Sequence, residues 1–364
     1  MSNFTFKIVN NRGDETQLNL LLTVANGDSG LEGIDIGVST VLAEFFSRNP
    51  SHSFSAEKLV SCRLYVGYGA MSSNPDPNSN QYYGWIEFSR DPGVDSGVWL
   101  NLSNVDIVGL PLTLSGKSLN GEPFSLGYRK SVKEIISDIE NRALTSQGPA
   151  VVKDCGGGRT KIVAPNIQFP FYRSYNDYLN TLTVAGANVK IVTDTPKDGT
   201  SKTFTGSFTR GAYQSLADGD PILALKSDSD TFQILKSQFT TEYLYRCDGG
   251  QIVFNGQSLP QNRNDEKGTF ASAVYTNSLF RNLCVGINEG YFTAAGANDS
   301  SKFSSDKPFQ NGQGSVYAQI MHESSNSYGF PYADSNLKTL LVAAIDTPIT
   351  LTILKDDESG GYQG

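Results

Sequence analysis

The chain has 364 residues, a length typical of about two domains. Hydrophobic residues make up 38% and charged residues only 18%, while the 36 glycines and the 11% of aromatic residues are typical of turns and strands. We therefore expect a mainly β protein. The net charge of -8 argues against nucleic acid as a partner and favours a neutral ligand such as a carbohydrate.

Few side chains are available for metal or triad chemistry. The two histidines, His52 and His322, leave little material for a Ser-His-Asp triad or a zinc site, and we expect neither a metal nor an organic cofactor. No apolar run reaches the roughly 18 residues of a membrane span. The chain has four cysteines, Cys62, Cys155, Cys247 and Cys284. Their spacing matches no metal site, so they are either free core thiols or form one or two long-range disulfides.

The first part of the chain has the pattern of strands separated by Asn- and Gly-rich turns. Strands are predicted at "FTFKIVNN", "QLNLLLTV", "KLVSCRLYVGYGAM", "YYGWIEFSR", "VWLNLSNVDIVGLPLTLSG" and "FSLGY". The segment "GIDIGVSTVLAEFF" fits either a strand or a short helix. Residues 72–81 are rich in Pro, Asn and Ser, which predicts an exposed loop.

The pattern changes near residue 130. Ser131 and Glu134 have the spacing of a capping box at the start of a helix, "SVKEIISDIENRAL". A second helix is predicted at "SAVYTNSLFRNLCVGI", and hairpins at "TPKDGTSKTF" and "RCDGGQIVFNGQSL". The last segment, "TLLVAAIDTPITLTILKD", is again strand-like and is expected to rejoin the opening sheet. We predict a β domain of residues 1–128 with 335–364, and a mixed α/β domain of residues 129–334.

Two carboxylates, Glu87 and Asp106, lie in apolar runs where strands usually carry Val, Thr or Tyr. Burying an unpaired polar group costs about 2–7 kcal/mol, so this placement needs a reason. The structural interpretation is that both side chains face outward or are hydrogen-bonded by their neighbours. The catalytic interpretation is that they cleave a glycosidic bond, which needs one carboxyl to protonate the leaving oxygen and another to activate water or attack the sugar.

The spacing of the two carboxylates constrains the catalytic interpretation. In a simple hairpin Glu87 would face about Leu102 and lie ~13 Å from Asp106, at ~3.3 Å per residue. A catalytic pair therefore requires a bulge or an irregular segment between them. Glu87 lies next to Trp85, Ile86 and Phe88, whose partial desolvation would raise its pKa and suit a general acid.

Two separated blocks carry a resemblance to a known family. "WIEF" at 85–88 with Trp99 and "NLSNVDIVGLPLTL" at 101–114 resembles the strand pair of glycoside hydrolase family 64, the endo-β-1,3-glucanases with a thaumatin-like catalytic domain. "YAQIMHESSNSYGFPYAD" at 317–334 resembles that family's segment around its "FPYDD" motif. The resemblance implies a thaumatin-like β-sandwich or barrel domain, an inserted mixed α/β domain and a wide groove between them.

The same resemblance implies site residues. Glu87 matches the general acid and Asp106 the general base of an inverting endo-hydrolysis of β-1,3-glucan, the laminarin or curdlan type of polysaccharide. Five residues match positions that contact the substrate in the family: Ser89, Asp91, Trp99, Ser103 and Asp334. Tyr332, in the second block, is a further aromatic candidate for substrate binding. We expect a monomer that takes a polysaccharide, and neither nucleic acid nor a membrane, as its partner.

Departures from the family pattern keep a second interpretation open. The segment from Glu87 to Asp106 is slightly longer than is typical, Ala333 replaces the first aspartate of the motif, and the opening "MSNFTFKIVNN" lacks the features of an export signal. The alternative is a non-catalytic glucan-binding, antifungal or toxin-like protein on the same fold. The family resemblance implies secretion, with a leader removed or by export without a signal, and a cytoplasmic location is the remaining alternative.

Overall fold

The computed structural model describes residues 3–196, 199–248, 251–260, 271–304, 308–309, 312–333 and 339–362. The strands, in chain order, are β1 (Phe4–Asn10), β2 (Leu18–Val24), β3 (Asp28–Ser29), β4 (Thr40–Val41), β5 (Ser53–Ala56), β6 (Lys58–Tyr68), β7 (Tyr83–Arg90), β8 (Val98–Ser103), β9 (Ile107–Val108), β10 (Leu112–Lys117), β11 (Pro123–Leu126), β12 (Val152–Asp154), β13 (Thr160–Val163), β14 (Asn188–Val192), β15 (Thr203–Phe208), β16 (Pro221–Lys226), β17 (Thr231–Leu235), β18 (Gln251–Phe254), β19 (Gln257–Pro260), β20 (Ser327–Tyr328), β21 (Leu341–Ala343) and β22 (Ile349–Ile353).

The α-helices are α1 (Leu42–Arg48), α2 (Val132–Arg142), α3 (Pro165–Gln168), α4 (Asn176–Ala185), α5 (Thr241–Arg246), α6 (Ala271–Asn288) and α7 (Val316–Ser324). The prediction of a mainly β fold is confirmed, and the strands form several sheets. In the part of the chain that the structure describes, no helix has the length and apolar character needed to cross a membrane.

The chain divides into two compact units. Unit 1 comprises Met1–Phe171, Ile320–Gly329 and Lys338–Gly364, and unit 2 comprises Tyr172–Gln319 and Phe330–Leu337. This division differs from the predicted domains, because residues 129–171 and 320–329 fall in unit 1. Pairing of β13 with β9 explains part of the difference, since it joins the segment after α2 to the strands before it.

Unit 1 contains two large sheets whose apolar faces contact each other. The five-stranded sheet has the order β11-β10-β22-β1-β5, and the eight-stranded sheet includes β20-β8-β7-β6-β2-β4. Phe6 of the first sheet lies 4.8 Å, between ring centroids, from Phe88 of the second. Phe4 adds an edge contact with Phe88 at 6.3 Å. These rings form part of the core, so the opposite face of β7 is free to carry polar groups.

The closing strand rejoins the opening sheet, as predicted. Strand β22 lies between β1 and β10, parallel to β1 with Ile8 opposite Leu351 and antiparallel to β10 with Leu114 opposite Leu351. All three of these side chains are fully buried. The first and last parts of the chain therefore share one core.

The local helix prediction at residue 131 is confirmed. The Ser131 side chain accepts a hydrogen bond from the Glu134 backbone N–H, and the Glu134 side chain accepts one from the Ser131 backbone N–H. Val132, Ile135 and Ile139 are buried. The ambiguous segment near residue 40 contains both alternatives, since the short strand β4 leads directly into α1.

Unit 2 is built on a six-stranded antiparallel sheet with the order β14-β15-β16-β17-β18-β19. Both predicted hairpins occur there, β14-β15 and β18-β19, and the second turns at Asn255 and Gly256 with positive φ angles. Helix α6 confirms the second helix prediction and packs against this sheet. Cys247 and Cys284, like Cys62 in unit 1, are buried, and Cys155 is half-buried; none of the four forms a disulfide with another described residue.

Candidate active site

Glu87 lies among polar side chains on one face of the eight-stranded sheet. Side chains alternate between the two faces of a strand, so Ile86 and Phe88 point into the core while Glu87 and Ser89 point the other way. Glu87 lies opposite Arg63 on β6 and opposite Asn101 on β8. The register differs by one residue from the simple hairpin, which would have placed about Leu102 opposite Glu87.

Arg63 is the direct partner of Glu87. Its Nε donates to Glu87 Oε1 at 3.1 Å, and its guanidinium lies 4.1 Å from the centroid of the Trp85 ring. Burial raises the pKa of Glu87 above its usual value, and the charge of Asp106 raises it further. Arg63 and a hydrogen bond from Asn101 act in the opposite direction. The net shift of the Glu87 pKa is upward, which is the direction that the sequence led us to expect.

An irregular segment after β8 carries Asp106. The chain leaves the sheet at Asn104, whose side-chain Nδ2 donates to the Ile107 carbonyl at 2.9 Å. The Tyr128 hydroxyl donates to Asn104 Oδ1 at 3.1 Å and holds this amide in place. The break from regular strand geometry is the feature that a catalytic pair required of this segment.

The chain then passes very close to the start of β7. The Leu110 N–H donates to the Tyr83 carbonyl at 3.0 Å. A Cβ atom on Gly84 would lie 2.2 Å from the Leu110 carbonyl oxygen, and one on Gly109 would lie 2.4 Å from the Tyr83 carbonyl oxygen, so both positions need glycine. Ile107 packs with Tyr65, Tyr83 and Trp85, among others. The segment that carries Asp106 therefore lies on the side of the sheet that carries Glu87, and the charge of Asp106 acts on Glu87.

Asp106 is held by the segment that follows β13. Its backbone carbonyl accepts from the Ala164 N–H at 2.8 Å, and its Oδ1 accepts from Asn166 Nδ2 at 2.8 Å. Its charge reaches the groups around Glu87: burial is the main reason that the pKa of Tyr83 is raised, and Asp106 is the next. The charge of Asp106 thus acts on Tyr83 and on Glu87, which lie on one face of β7.

Three of the predicted substrate contacts lie at the same end of β7 and β8. Ser89 is directly opposite Trp99. Trp99 is 42% exposed, and its Nε1 donates to Asp95 Oδ1 at 3.1 Å. Asp91 follows β7 and forms an ion pair with Lys58, 2.8 Å from Nζ to Oδ2. Ser89 and Trp99 therefore share the face of Glu87, whereas Asp91 is engaged in the adjoining loop.

The remaining predicted contacts have different settings. Ser103 ends β8 and is buried, and its Oγ has no hydrogen-bond partner among the described residues. Tyr332 is half-buried in unit 2. Asp334 lies outside the described residues.

Sequence reasoning missed three partners of the two carboxylates: Arg63, Asn101 and Asn166. Arg63 had a recognisable signal, since it is a cation inside the apolar run "KLVSCRLYVGY" and a half-buried acid needs such a partner. Asn166 had none, because "APNIQ" reads only as the start of a helix with Pro at its first turn. Within the ranges that the structure describes, no cluster of three or more His, Cys, Asp or Glu side chains is arranged to hold a metal ion.

Comparison with known proteins decides the family. The profile of glycoside hydrolase family 64, described as beta-1,3-glucanase, matches residues 65–341, which include Glu87, Asp106 and Asn166. The chain belongs to glycoside hydrolase family 64.

Solved structures agree with this family 64 assignment at the level of the fold. A laminaripentaose-producing beta-1,3-glucanase in complex with laminaritetraose is 18% identical, with a TM-score of 0.63 and coverage of 98% of this chain and 100% of that chain. A beta-1,3-glucanase domain from Clostridium beijerinckii is 14% identical, with a TM-score of 0.61 and coverage of 97% and 98%.

A third solved structure is matched over a smaller share of its length. It is a family 64 laminaripentaose-producing beta-1,3-glucanase from Paenibacillus barengoltzii, 14% identical with a TM-score of 0.51 and coverage of 97% of this family 64 protein and 75% of that chain. No curated protein matches the chain significantly.

Proposed function

We propose that this family 64 protein hydrolyses β-1,3-glucan at internal bonds with inversion of configuration. The proposal depends on one observation: Glu87 is a carboxyl whose pKa is raised by burial, and the charge of Asp106 acts on it. Glycosidic cleavage needs one carboxyl that gives a proton to the leaving oxygen and one that takes a proton from water.

The roles follow from the environments of the two groups. Glu87, half-buried on β7, gives its proton to the leaving oxygen as the C1–O bond breaks. Asp106, fixed by Asn166, takes a proton from the water that attacks C1 from the opposite side of the sugar ring. Because water adds from that side directly, the new hydroxyl at C1 has the inverted configuration.

The substrate class is supported by the exposed ring on this face and by the relatives. Trp99 offers an apolar surface to the C–H face of a neutral sugar. Relatives of the same fold were solved with laminaritetraose and with laminarihexaose. β-1,3-Glucan is therefore the substrate that we propose. Secretion, a monomeric state and the groove between domains stay predictions from the sequence.

The test is hydrolysis of laminarin and curdlan, followed by release of reducing ends. Glu87→Gln and Asp106→Asn are each expected to lower kcat by about 10²–10⁴-fold, the usual contribution of a general acid or base. Glu122→Gln is the matched control, since Glu122 is exposed in a turn of unit 1. Thermal unfolding should be similar in all variants.

Two results would contradict the proposal. Near-full activity of Glu87→Gln or Asp106→Asn would remove that residue from its role. Binding of glucan by the wild type without any release of reducing ends would replace the enzyme by the alternative, a glucan-binding protein on the same fold.

A further inference from the structure

Asn166 lies where the strand β13 turns into the short helix α3. Pro165 is the first residue of α3, and its fixed φ angle sets the direction in which the chain leaves the strand. Within three residues this segment gives Asp106 two hydrogen bonds, from the Ala164 N–H to its carbonyl and from Asn166 Nδ2 to its Oδ1, both of 2.8 Å. The backbone and the carboxylate of Asp106 are thus both fixed by one turn.

The orientation of the Asn166 amide is set by the carboxylate. Only the Nδ2 end is a donor, so it must face Asp106, and the Oδ1 end then points away. That Oδ1 is buried and has no hydrogen-bond partner among the described residues. A buried acceptor without a partner destabilises the folded state. A residue that served only the fold would be better replaced by an apolar side chain of similar size.

The general acid and the general base are held by different kinds of group. Glu87 is held by the cation Arg63, whereas the side chain of Asp106 accepts from a neutral amide. A neutral donor fixes the direction of the Asp106 carboxylate without adding a second positive charge to that of Arg63, which already interacts with Asp106. This difference suits a base.

We propose that Asn166 is a positioning residue for the general base: by holding Oδ1 of Asp106, it leaves Oδ2 to take the proton from the attacking water. This inference rests on the proposed function. Asn166 does not touch the reacting atoms in this scheme and acts only through Asp106.

The first test separates positioning from stability. Asn166→Ala and the isosteric Asn166→Asp are expected to lower kcat on laminarin by on the order of 10²-fold with little change in KM, because a misplaced base slows the chemical step. The midpoint of thermal unfolding should be equal to or higher than that of the wild type for Asn166→Ala. The matched control is Gln168→Ala on the same short helix, which is expected to leave kcat unchanged. The Gln168 side chain donates to Asn78 Oδ1 at 2.6 Å.

The second test uses azide, which attacks C1 without losing a proton. In that reaction the C1–N bond forms, the C1–O bond breaks and Glu87 still gives its proton to the leaving oxygen, so the product is an α-glycosyl azide. Azide should therefore restore turnover in Asn166→Ala and in Asp106→Ala, but not in Glu87→Gln. A purely structural role for Asn166 predicts no such rescue.

The outcomes are distinguishable. Wild-type kcat in both Asn166 variants, or a lower unfolding midpoint with no azide rescue, would overturn the role of Asn166 while the proposed function stands. An inactive wild type would overturn the proposed function itself, and with it this inference.

Discussion

Arg63 and Glu87 lie directly opposite each other on β6 and β7, and the Arg63 Nε donates to Glu87 Oε1 at 3.1 Å. Two opposing effects act on the pKa of Glu87, the proposed general acid. Burial raises the pKa of Glu87, Arg63 lowers it, and the net result is still above the usual value. The proposed acid must be protonated to act, so its activity is lost as the pH rises through this pKa.

Removing the cation should extend activity to higher pH. In Arg63→Met the influence that lowers the pKa of Glu87 is gone, and burial and Asp106 still raise it. The alkaline limb of the kcat profile is therefore expected to move to higher pH, as measured by laminarin hydrolysis across a pH series. Methionine retains an apolar contact with the ring of Trp85, which Arg63 now covers.

Lys58→Met is the matched control for Arg63→Met. It removes the same charge from the same strand, but Lys58 pairs with Asp91 rather than with Glu87. The alkaline limb of the kcat profile of Lys58→Met should lie at the same pH as that of the wild type. An unchanged or lower limb in Arg63→Met would contradict the role of Glu87 as the acid.

Trp99 should report glucan binding by its fluorescence. The chain has two tryptophans, of which Trp85 is 4% exposed and Trp99 is 42% exposed. Titration with laminari-oligosaccharides is expected to change the emission of the wild type and of Trp85→Phe, but not of Trp99→Phe. Trp99→Ala should weaken binding by roughly 1 kcal/mol, the scale of an aromatic contact, or about fivefold in Kd. Equal affinity in Trp99→Ala, measured by calorimetry, would remove Trp99 from the binding surface.

The closing strand should contribute strongly to stability. Leu351 is fully buried between β1 and β10, so Leu351→Ala is expected to lower the free energy of unfolding by about 2–5 kcal/mol. Thr350→Ala, a neighbour that is only half-buried on the other side of β22, should cost less than about 1 kcal/mol. Urea unfolding measures both. A similar cost for the two variants would contradict the central place of β22 in the core.

Features with a short-range cause were predictable from the sequence. Ser131 and Glu134 specify a helix start within four residues, and the structure contains both hydrogen bonds of the capping box. The return of the last strand was also predictable, because an alternating apolar run such as "ITLTI" needs a buried face. The two carboxylates stood out because charge is rare in such runs.

The individual contacts between side chains from distant segments were not predictable. The bond from Arg63 to Glu87 joins residues 24 apart in sequence, and the bond from Asn166 to Asp106 joins residues 60 apart. No local pattern connects them. The register of β7 and β8 depends on the loop after Arg90, and for this reason the hairpin estimate missed the pairing of Glu87 with Asn101 by one residue.

The configuration of the products as they form distinguishes inversion from retention. Laminarin is mixed with the wild-type protein in an NMR tube, and the anomeric protons of the new reducing ends are followed from the first minutes, before mutarotation mixes the anomers. Inversion by Glu87 and Asp106 predicts that the α-anomer appears first and the β-anomer grows in later. Initial release of the β-anomer would mean retention, with a covalent intermediate in place of direct attack by water, and would contradict the account.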